Sequence, residues 1–158
     1  MNDDRINSAH WVQHSQLLLD SFEHFLGRSL IDRCGSQLDQ STRLFRIPAV
    51  VVAHGTETDP ILSYGNQAAI DLWETDLETL LSMPSRKTAE PEERKEREDM
   101  LRRGLEKGFI DDYQGIRVTT TGKRFFIENA IIWTLIDSST GERMGQAATF
   151  AAWRFLES

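Results

Sequence analysis

The segment from Arg124 to Ile136 constrains the fold of this chain more than any other part of its sequence. Apolar side chains dominate its odd positions, which are Phe125, Ile127, Asn129, Ile131, Trp133 and Leu135. This two-residue period predicts a β-strand whose odd face points into a core. The even positions still carry Phe126, Ala130 and Ile132, so a second layer has to cover the other face. An amphipathic helix near the N-terminus is one candidate cover, and a second copy of the chain is the other.

This strand is the middle member of a three-strand meander that we predict for the C-terminal third. Turn-forming residues separate the three strands at Thr121-Gly122 and at 137–141. Two shorter apolar segments precede them, one on each side of a turn-rich stretch from His54 to Pro60. The five predicted strands are 47–53, 61–64, 110–119, 124–136 and 144–155. We therefore expect one antiparallel sheet of five strands.

The helical segments are predicted from apolar residues at three- and four-residue steps. A first helix is expected over 8–33, with apolar positions Trp11, Leu18, Phe22, Phe25, Leu26 and Leu30. Residues 36–46 are polar and predict a loop. Short helices are expected after Asn66 and after Thr75-Asp76, which opens a capping box, and a charged helix from Glu90-Pro91 to Lys107.

Together these elements predict an α+β fold with short helices on one face of the sheet and the N-terminal helix on the other. Residues 1–46 would form the N-terminal helix and a linker, and residues 47–158 the sheet domain, in a single structural unit. A chain of this size buries enough surface to fold without a metal or a disulfide.

Composition excludes several classes of partner. The net charge is −7 at pH 7, and basic residues alternate with acids over 92–98, so nucleic-acid binding is not expected. The longest apolar run, 47–53, is too short to cross a bilayer, and no secretion signal opens the chain. Cys34 is the only cysteine, which fits a reducing cytoplasm.

Several separated motifs resemble one known family. They are Ala53-His54-Gly55-Thr56-Glu57, Asp59-Pro60-Ile61-Leu62, Tyr64-Gly65-Asn66-Gln67-Ala68-Ala69, Pro84-Ser85-Arg86-Lys87-Thr88-Ala89-Glu90-Pro91, Gly108-Phe109-Ile110-Asp111-Asp112-Tyr113 and Gly145-Gln146-Ala147-Ala148-Thr149-Phe150. Over roughly residues 15–153 the chain resembles the MEKHLA domain, which is PAS-like. The resemblance implies a PAS-like fold and a sensor role, and it does not imply a ligand.

In plants the MEKHLA domain ends homeodomain-leucine zipper proteins of the third class, and stand-alone bacterial versions are similar to this chain. No homeodomain, zipper or kinase is present in this sequence. The resemblance therefore does not carry a transcriptional role to this chain.

Candidate ligand contacts centre on Asn129, the one polar residue on the apolar face of the fourth strand. Its amide either orients a ligand or bonds to a helix backbone across the core, because an unpaired buried amide costs about 1–3 kcal/mol. The full set of candidate contacts is Asn129, Trp133, Ile127, Tyr113, Trp73 and His54. The two tryptophans are better explained as ordinary core residues.

Weaker candidates concern anions, metals and cofactors. Ser85-Arg86-Lys87 is a candidate phosphate or anion site, the alternative being a solvated turn in which Arg86 pairs with an acid. No metal site is predicted, because neither His54 nor the His10/His14 pair has enough neighbouring ligands. The cofactor is left open; cysteinyl-flavin chemistry is disfavoured because Cys34 lies outside the strand and helix region that it requires.

The favoured hypothesis is a non-catalytic signal-sensing module in the cytoplasm that binds a small ligand between sheet and helices. The first alternative is a protein-interaction or homodimerisation module without ligand, with a homodimer forming through the N-terminal helix. The second is a small cone-fold isomerase or dehydratase, which would need an acid and a base facing one pocket. No catalytic residue is predicted.

Overall fold

The computed structural model of this protein describes residues 4–90 and 93–156. The helices are α1 (Ala9–Leu26), α2 (Gln37–Arg46), α3 (Gln67–Trp73), α4 (Leu77–Leu80) and α5 (Arg94–Lys107), with single 3-10 turns at Asp4–Asn7 and Ser85–Thr88. The strands are β1 (Val50–His54), β2 (Leu62–Gly65), β3 (Phe109–Val118), β4 (Arg124–Ile136), β5 (Arg143–Phe150) and β6 (Ala152–Phe155).

One antiparallel sheet forms the centre of the fold, in the order β2-β1-β5-β4-β3. The prediction of an α+β fold around such a sheet is confirmed. The predicted last strand is interrupted at Ala151, and its second part, β6, pairs with the first half of β4. The bend lets one continuous segment pair along nearly the whole length of β4.

The N-terminal helix α1 covers one face of the sheet, as the sequence predicts. Trp133 of β4 is fully buried, and its Nε1 donates a hydrogen bond to the backbone oxygen of Leu18 at 3.1 Å. Its ring meets Phe22 edge-to-face, with the two ring centroids 5.0 Å apart. This contact fastens α1 to the centre of the sheet.

The predicted loop over 36–46 is wrong, because most of it forms α2. The Ser36 hydroxyl accepts from the backbone N–H of Asp39, and the Asp39 carboxylate accepts from that of Ser36. This capping box starts a helix that buries Leu44 and Phe45 beside α1. The first helix is correspondingly shorter than predicted and ends at Leu26.

The short helices α3 and α4, together with α5, cover the opposite face of the sheet. Asn66 caps α3 and Gly108 follows α5 in a left-handed conformation, as predicted. The predicted start of the charged helix at Pro91 lies outside the described residues. Trp73 and Met100 are buried against β4 residues Phe125 and Ile132 in one apolar cluster.

A bulge in β4 changes which of its side chains face each side of the sheet. Because of it, the prediction that Asn129 faces the core is wrong. Asn129 is exposed and has a φ of 55°. Tyr113 pairs with Ala130 and Gly115 pairs with Ile127, so three β4 residues oppose two β3 residues beyond Tyr113. One extra residue moves all later side chains to the other face. Trp133 therefore contacts α1, although Ile127 faces the short helices.

Substitutions at Asn129 test this bulge. Asn129→Gly should leave the free energy of unfolding unchanged or slightly higher, because glycine adopts positive φ without strain. Asn129→Val should lower it by about 1–2 kcal/mol, because a β-branched residue resists this conformation. Urea denaturation measures both, with Gln114→Val at an exposed site on β3 as the control. Equal tolerance of valine at both positions would contradict the bulge.

Candidate ligand cavity

A cavity of about 70 Å³ lies between the sheet, α5 and the Ser85–Thr88 turn. Its apolar wall is formed by Val52, Leu62, Met100, Ile127, Ile132 and Phe150. Polar and charged side chains also line it, and they are Ser85, Thr88, Arg97, Tyr113, Arg117, Gln146 and His54. The surface of the cavity is thus almost entirely apolar, although polar and charged residues are among those that line it.

Arg117 is a buried cation with three polar partners, one of them a carboxylate. It is 6% exposed, and its guanidinium donates to the hydroxyl of Tyr113 at 3.0 Å and to the backbone oxygen of Ile116 at 2.8 Å. Tyr113 donates in turn to the Glu96 carboxylate at 2.7 Å, and that carboxylate lies 3.9 Å from Arg117. Burial raises the pKa of Tyr113 to about 12, so the hydroxyl keeps its proton.

Arg97 is a second buried cation, and its surroundings differ. It is 7% exposed, and one of its Nη atoms donates to the hydroxyl of Ser85. Over residues 4–90 and 93–156, Ser85 is its one hydrogen-bond partner and it forms no ion pair. Burial, followed by the charge of Arg117, lowers the pKa of Arg97 to about 10. At neutral pH it is therefore a buried charge with no carboxylate at ion-pair distance in the described part of the chain, and Glu98 acts on it only from further away.

His54 ends β1 and contributes an open acceptor. Its Nδ1 lies 3.0 Å from the oxygen of Gly55, which can only accept, so Nδ1 carries the proton. Its Nε2 is buried and has no hydrogen-bond partner within the described residues. Burial lowers the pKa of His54, so the ring is neutral and Nε2 can accept from a donor.

Four of the six predicted ligand contacts line the cavity, namely His54, Trp73, Tyr113 and Ile127. The other two do not. Trp133 lies on the opposite face of the sheet against α1, and Asn129 is exposed at the bulge. The register shift in β4 accounts for both differences.

The predicted anion segment Ser85-Arg86-Lys87 is divided between two environments. Ser85 is buried in the cavity wall, whereas Arg86 and Lys87 are exposed. Arg86 pairs with Asp59, its Nε lying 3.1 Å from the carboxylate. The three side chains do not converge on one site, because a 3-10 turn directs them apart.

Arg97 and Arg117 were missed from the sequence. Arg97 belongs to a run of alternating charges that predicts a solvated helix face. A better signal is the spacing of Arg97, Met100 and Gly104, which places small or apolar residues on the same side of α5 as the arginine. A Cβ on Gly104 would lie 2.7 Å from Nε2 of Gln146, so glycine lets α5 approach β5 closely.

No group of three His, Cys, Asp or Glu side chains suited to a metal is found among the residues that the structure describes. His10 and His14 stack with ring centroids 6.4 Å apart, and His14 Nε2 lies 3.1 Å from the hydroxyl of Ser63.

The sequence profile of the MEKHLA domain matches residues 12–155. The chain belongs to the MEKHLA domain family. Curated relatives include the homeobox-leucine zipper protein REVOLUTA of Arabidopsis thaliana, 26% identical over 150 residues, which are 92% of this chain and 18% of the relative. Another is the homeobox-leucine zipper protein HOX29 of Oryza sativa subsp. indica, 23% identical over 142 residues, or 88% of this chain and 16% of that protein. The chain thus spans less than a fifth of these relatives.

Solved structures place this MEKHLA domain in the PAS-like fold. A PAS domain from Colwellia psychrerythraea superposes with a TM-score of 0.62 at 14% identity, covering 77% of this chain and 98% of that one. A light-oxygen-voltage domain superposes with a TM-score of 0.55 at 18% identity, covering 78% of this chain and 87% of that one. An RNA-binding light-oxygen-voltage receptor superposes with a TM-score of 0.58 at 16% identity, covering 77% of this chain and 35% of the receptor. The predicted PAS-like fold is therefore confirmed.

Every helix within residues 4–90 and 93–156 is too short or too polar to serve as a membrane span.

Proposed function

We propose that this MEKHLA domain is a non-catalytic signal-sensing module that binds a small ligand in the cavity between the sheet and α5. The observation that carries the proposal is an apolar wall with Arg97, Arg117 and His54 among the residues that line it, in a PAS-like fold. Ligand sites typically pair apolar walls with a few convergent polar groups. His54, Trp73, Tyr113 and Ile127 are ligand contacts in this proposal.

The size of the cavity restricts the ligand. At about 70 Å³ it is well below the roughly 300–1,000 Å³ of pockets for drug-sized molecules. A flavin does not fit such a space, and the exposed Cys34 is not part of the cavity wall. The ligand is therefore a molecule of a few non-hydrogen atoms.

The strand β4 offers a route from the cavity to α1. Ile132 lines the cavity, and its neighbour Trp133 points to the other face and bonds to Leu18 of α1. A ligand that moves β4 would change the packing of α1 on the opposite side of the sheet. This double contact supports a sensing role for the domain.

The alternatives are less well supported. An isomerase or dehydratase needs an acid and a base facing one substrate, whereas the described ionisable groups of the cavity wall are arginines, a tyrosine and a neutral histidine. A homodimer through α1 would have to use its polar side, because Trp11, Leu18 and Phe22 are buried within the chain.

Two further properties belong to this proposal. We propose that the domain does not bind nucleic acid, because its net charge of −7 opposes contact with phosphates, although one similar structure is of an RNA-binding receptor. We also propose a cytoplasmic location, which the single exposed thiol of Cys34 supports.

Xenon is a direct probe of the cavity, since it enters apolar cavities without specific recognition. Under xenon pressure, methyl signals of Leu62, Ile127 and Ile132 should shift in NMR spectra of the wild type. Ala148→Leu should abolish these shifts by filling the cavity, whereas Ala152→Leu on exposed β6 should retain them. Unshifted methyl signals in the folded wild type would rule out an accessible cavity and with it this function.

A further inference from the structure

We propose that the ligand is a small planar oxyanion, a short carboxylate such as formate or acetate, bound by the guanidinium of Arg97. This rests on the proposed function of the cavity, and it names the chemical class of ligand.

The charge balance of the cavity carries the inference. The buried guanidinium of Arg117 has the Glu96 carboxylate 3.9 Å away and the Tyr113 hydroxyl between them. The equally buried Arg97 has a neutral hydroxyl, that of Ser85, and no carboxylate within 4.0 Å among the described residues, so Glu98 acts on it only from a longer distance. A buried charge without a counter-ion is strongly unfavourable. The cavity beside Arg97 provides the space in which a free anion would supply that missing charge.

The hydrogen-bonding capacity of Arg97 indicates the shape of the anion. A guanidinium has five N–H groups in one plane, and this plane matches the two oxygens of a carboxylate. Ser85 accepts from one Nη, and within the described residues Nε and the other Nη have no acceptor. A planar oxyanion satisfies these donors better than a spherical halide ion.

The size of the cavity and the apolar residues in its wall further restrict which anions can bind. A volume of about 70 Å³ is enough for a few water molecules. Met100 and Ile132 form part of the wall and would contact a short alkyl group. Formate and acetate meet both conditions.

The test follows thermal unfolding and NMR titration of the intact chain with sodium formate, sodium acetate and sodium chloride at equal ionic strength. Formate or acetate should raise the Tm and shift signals of cavity residues, whereas chloride should do neither. Acetate should also suppress the xenon-induced shifts, because both probes occupy one cavity. Equal effects of chloride would overturn the inference.

Substitution of Arg97 separates binding from a structural role. Arg97→Met should weaken acetate binding at least tenfold, yet unfold at the same or a higher Tm in anion-free buffer, because it removes an unpaired buried charge. Arg102→Met, at an exposed site on the same helix, should bind acetate like the wild type. Arg97→Lys is a second variant that keeps the charge, and it should bind more weakly because it lacks the planar fork.

The outcomes distinguish this inference from the proposed function. If xenon enters the wild-type cavity but neither carboxylate binds, the anion class is wrong and the cavity remains a ligand site. If neither xenon nor a carboxylate enters, both proposals fail. Acetate binding that is unchanged in Arg97→Met would place the anion elsewhere and overturn the inference.

Discussion

Replacing Trp133 by alanine should lower the free energy of unfolding by about 3–5 kcal/mol, the usual cost of truncating a fully buried large aromatic residue. Trp133 is 0% exposed, and its ring packs edge-to-face against Phe22 of α1. Its indole N–H also donates to the oxygen of Leu18. The substitution therefore removes an aromatic packing contact and a hydrogen bond between α1 and β4.

Chemical denaturation followed by far-UV circular dichroism measures this loss. Trp153→Ala, at a half-buried position on β6, is the matched control and should cost no more than about 1–2 kcal/mol. Trp133→Phe should have an intermediate effect, since it keeps an aromatic ring but loses the indole donor. Equal costs for alanine at positions 133 and 153 would contradict the docking of α1 on Trp133.

Replacing Asn66 by alanine should also lower the free energy of unfolding by about 3–5 kcal/mol, although the asparagine side chain is much smaller than that of tryptophan. Asn66 is 0% exposed, and its side-chain oxygen accepts from the backbone N–H groups of Val51 and Ala69. Its amide nitrogen donates to the oxygen of Ala49 at 2.8 Å. Alanine would remove the cap of α3 and leave buried groups of the adjoining chain unpaired, each at about 1–3 kcal/mol.

An exposed cap on a neighbouring helix isolates the effect of burial. Asp76 caps α4 from an exposed position, so Asp76→Ala should cost only about 1 kcal/mol. Asn66→Asp should also be strongly destabilising, because a carboxylate still accepts but cannot donate to Ala49. Thermal and urea unfolding compare the three variants. A cost for Asn66→Ala as small as that for Asp76→Ala would show that its buried bonds contribute little.

Local sequence patterns predicted the helices and strands of this fold well where turn residues or caps mark their ends. The predicted limits of the fourth strand, 124–136, match those of β4, because Gly122 and the segment after Ile136 end it on both sides. Asn66 and Gly108 were correctly predicted at the ends of helices, because capping depends on side chains within a few residues. The α2 capping box from Ser36 to Asp39 is also a local signal, and the polar composition around it concealed it.

The face of each β4 residue could not be predicted in the same way. A bulge depends on how many residues the neighbouring strands place opposite β4, and Tyr113 and Gly115 lie more than ten residues away from their partners. The odd positions are apolar on both sides of Asn129, so its polar side chain was interpreted as a buried amide and not as a change of register. Trp133 was consequently expected on the cavity side.

The sequence predicted only part of the candidate site, because the rest also depends on contacts between distant residues. His54, Tyr113, Ile127 and Trp73 lie on elements that any sheet of this order brings to one side, and all four line the cavity. Arg97 depends on the rotation of α5 and on the close approach that Gly104 allows to β5. Charge alternation along the sequence describes a helix surface but does not say which side of it faces the sheet.

Periodicity, turn residues and caps were enough to determine an antiparallel sheet with helices on both sides, because each acts over a few neighbouring residues. Tertiary structure alone decided which way each side chain of β4 faces and buried two arginines beside a cavity. Strand register and helix rotation are settled by contacts between residues far apart in the chain, and a one-residue change in register exchanges the two faces.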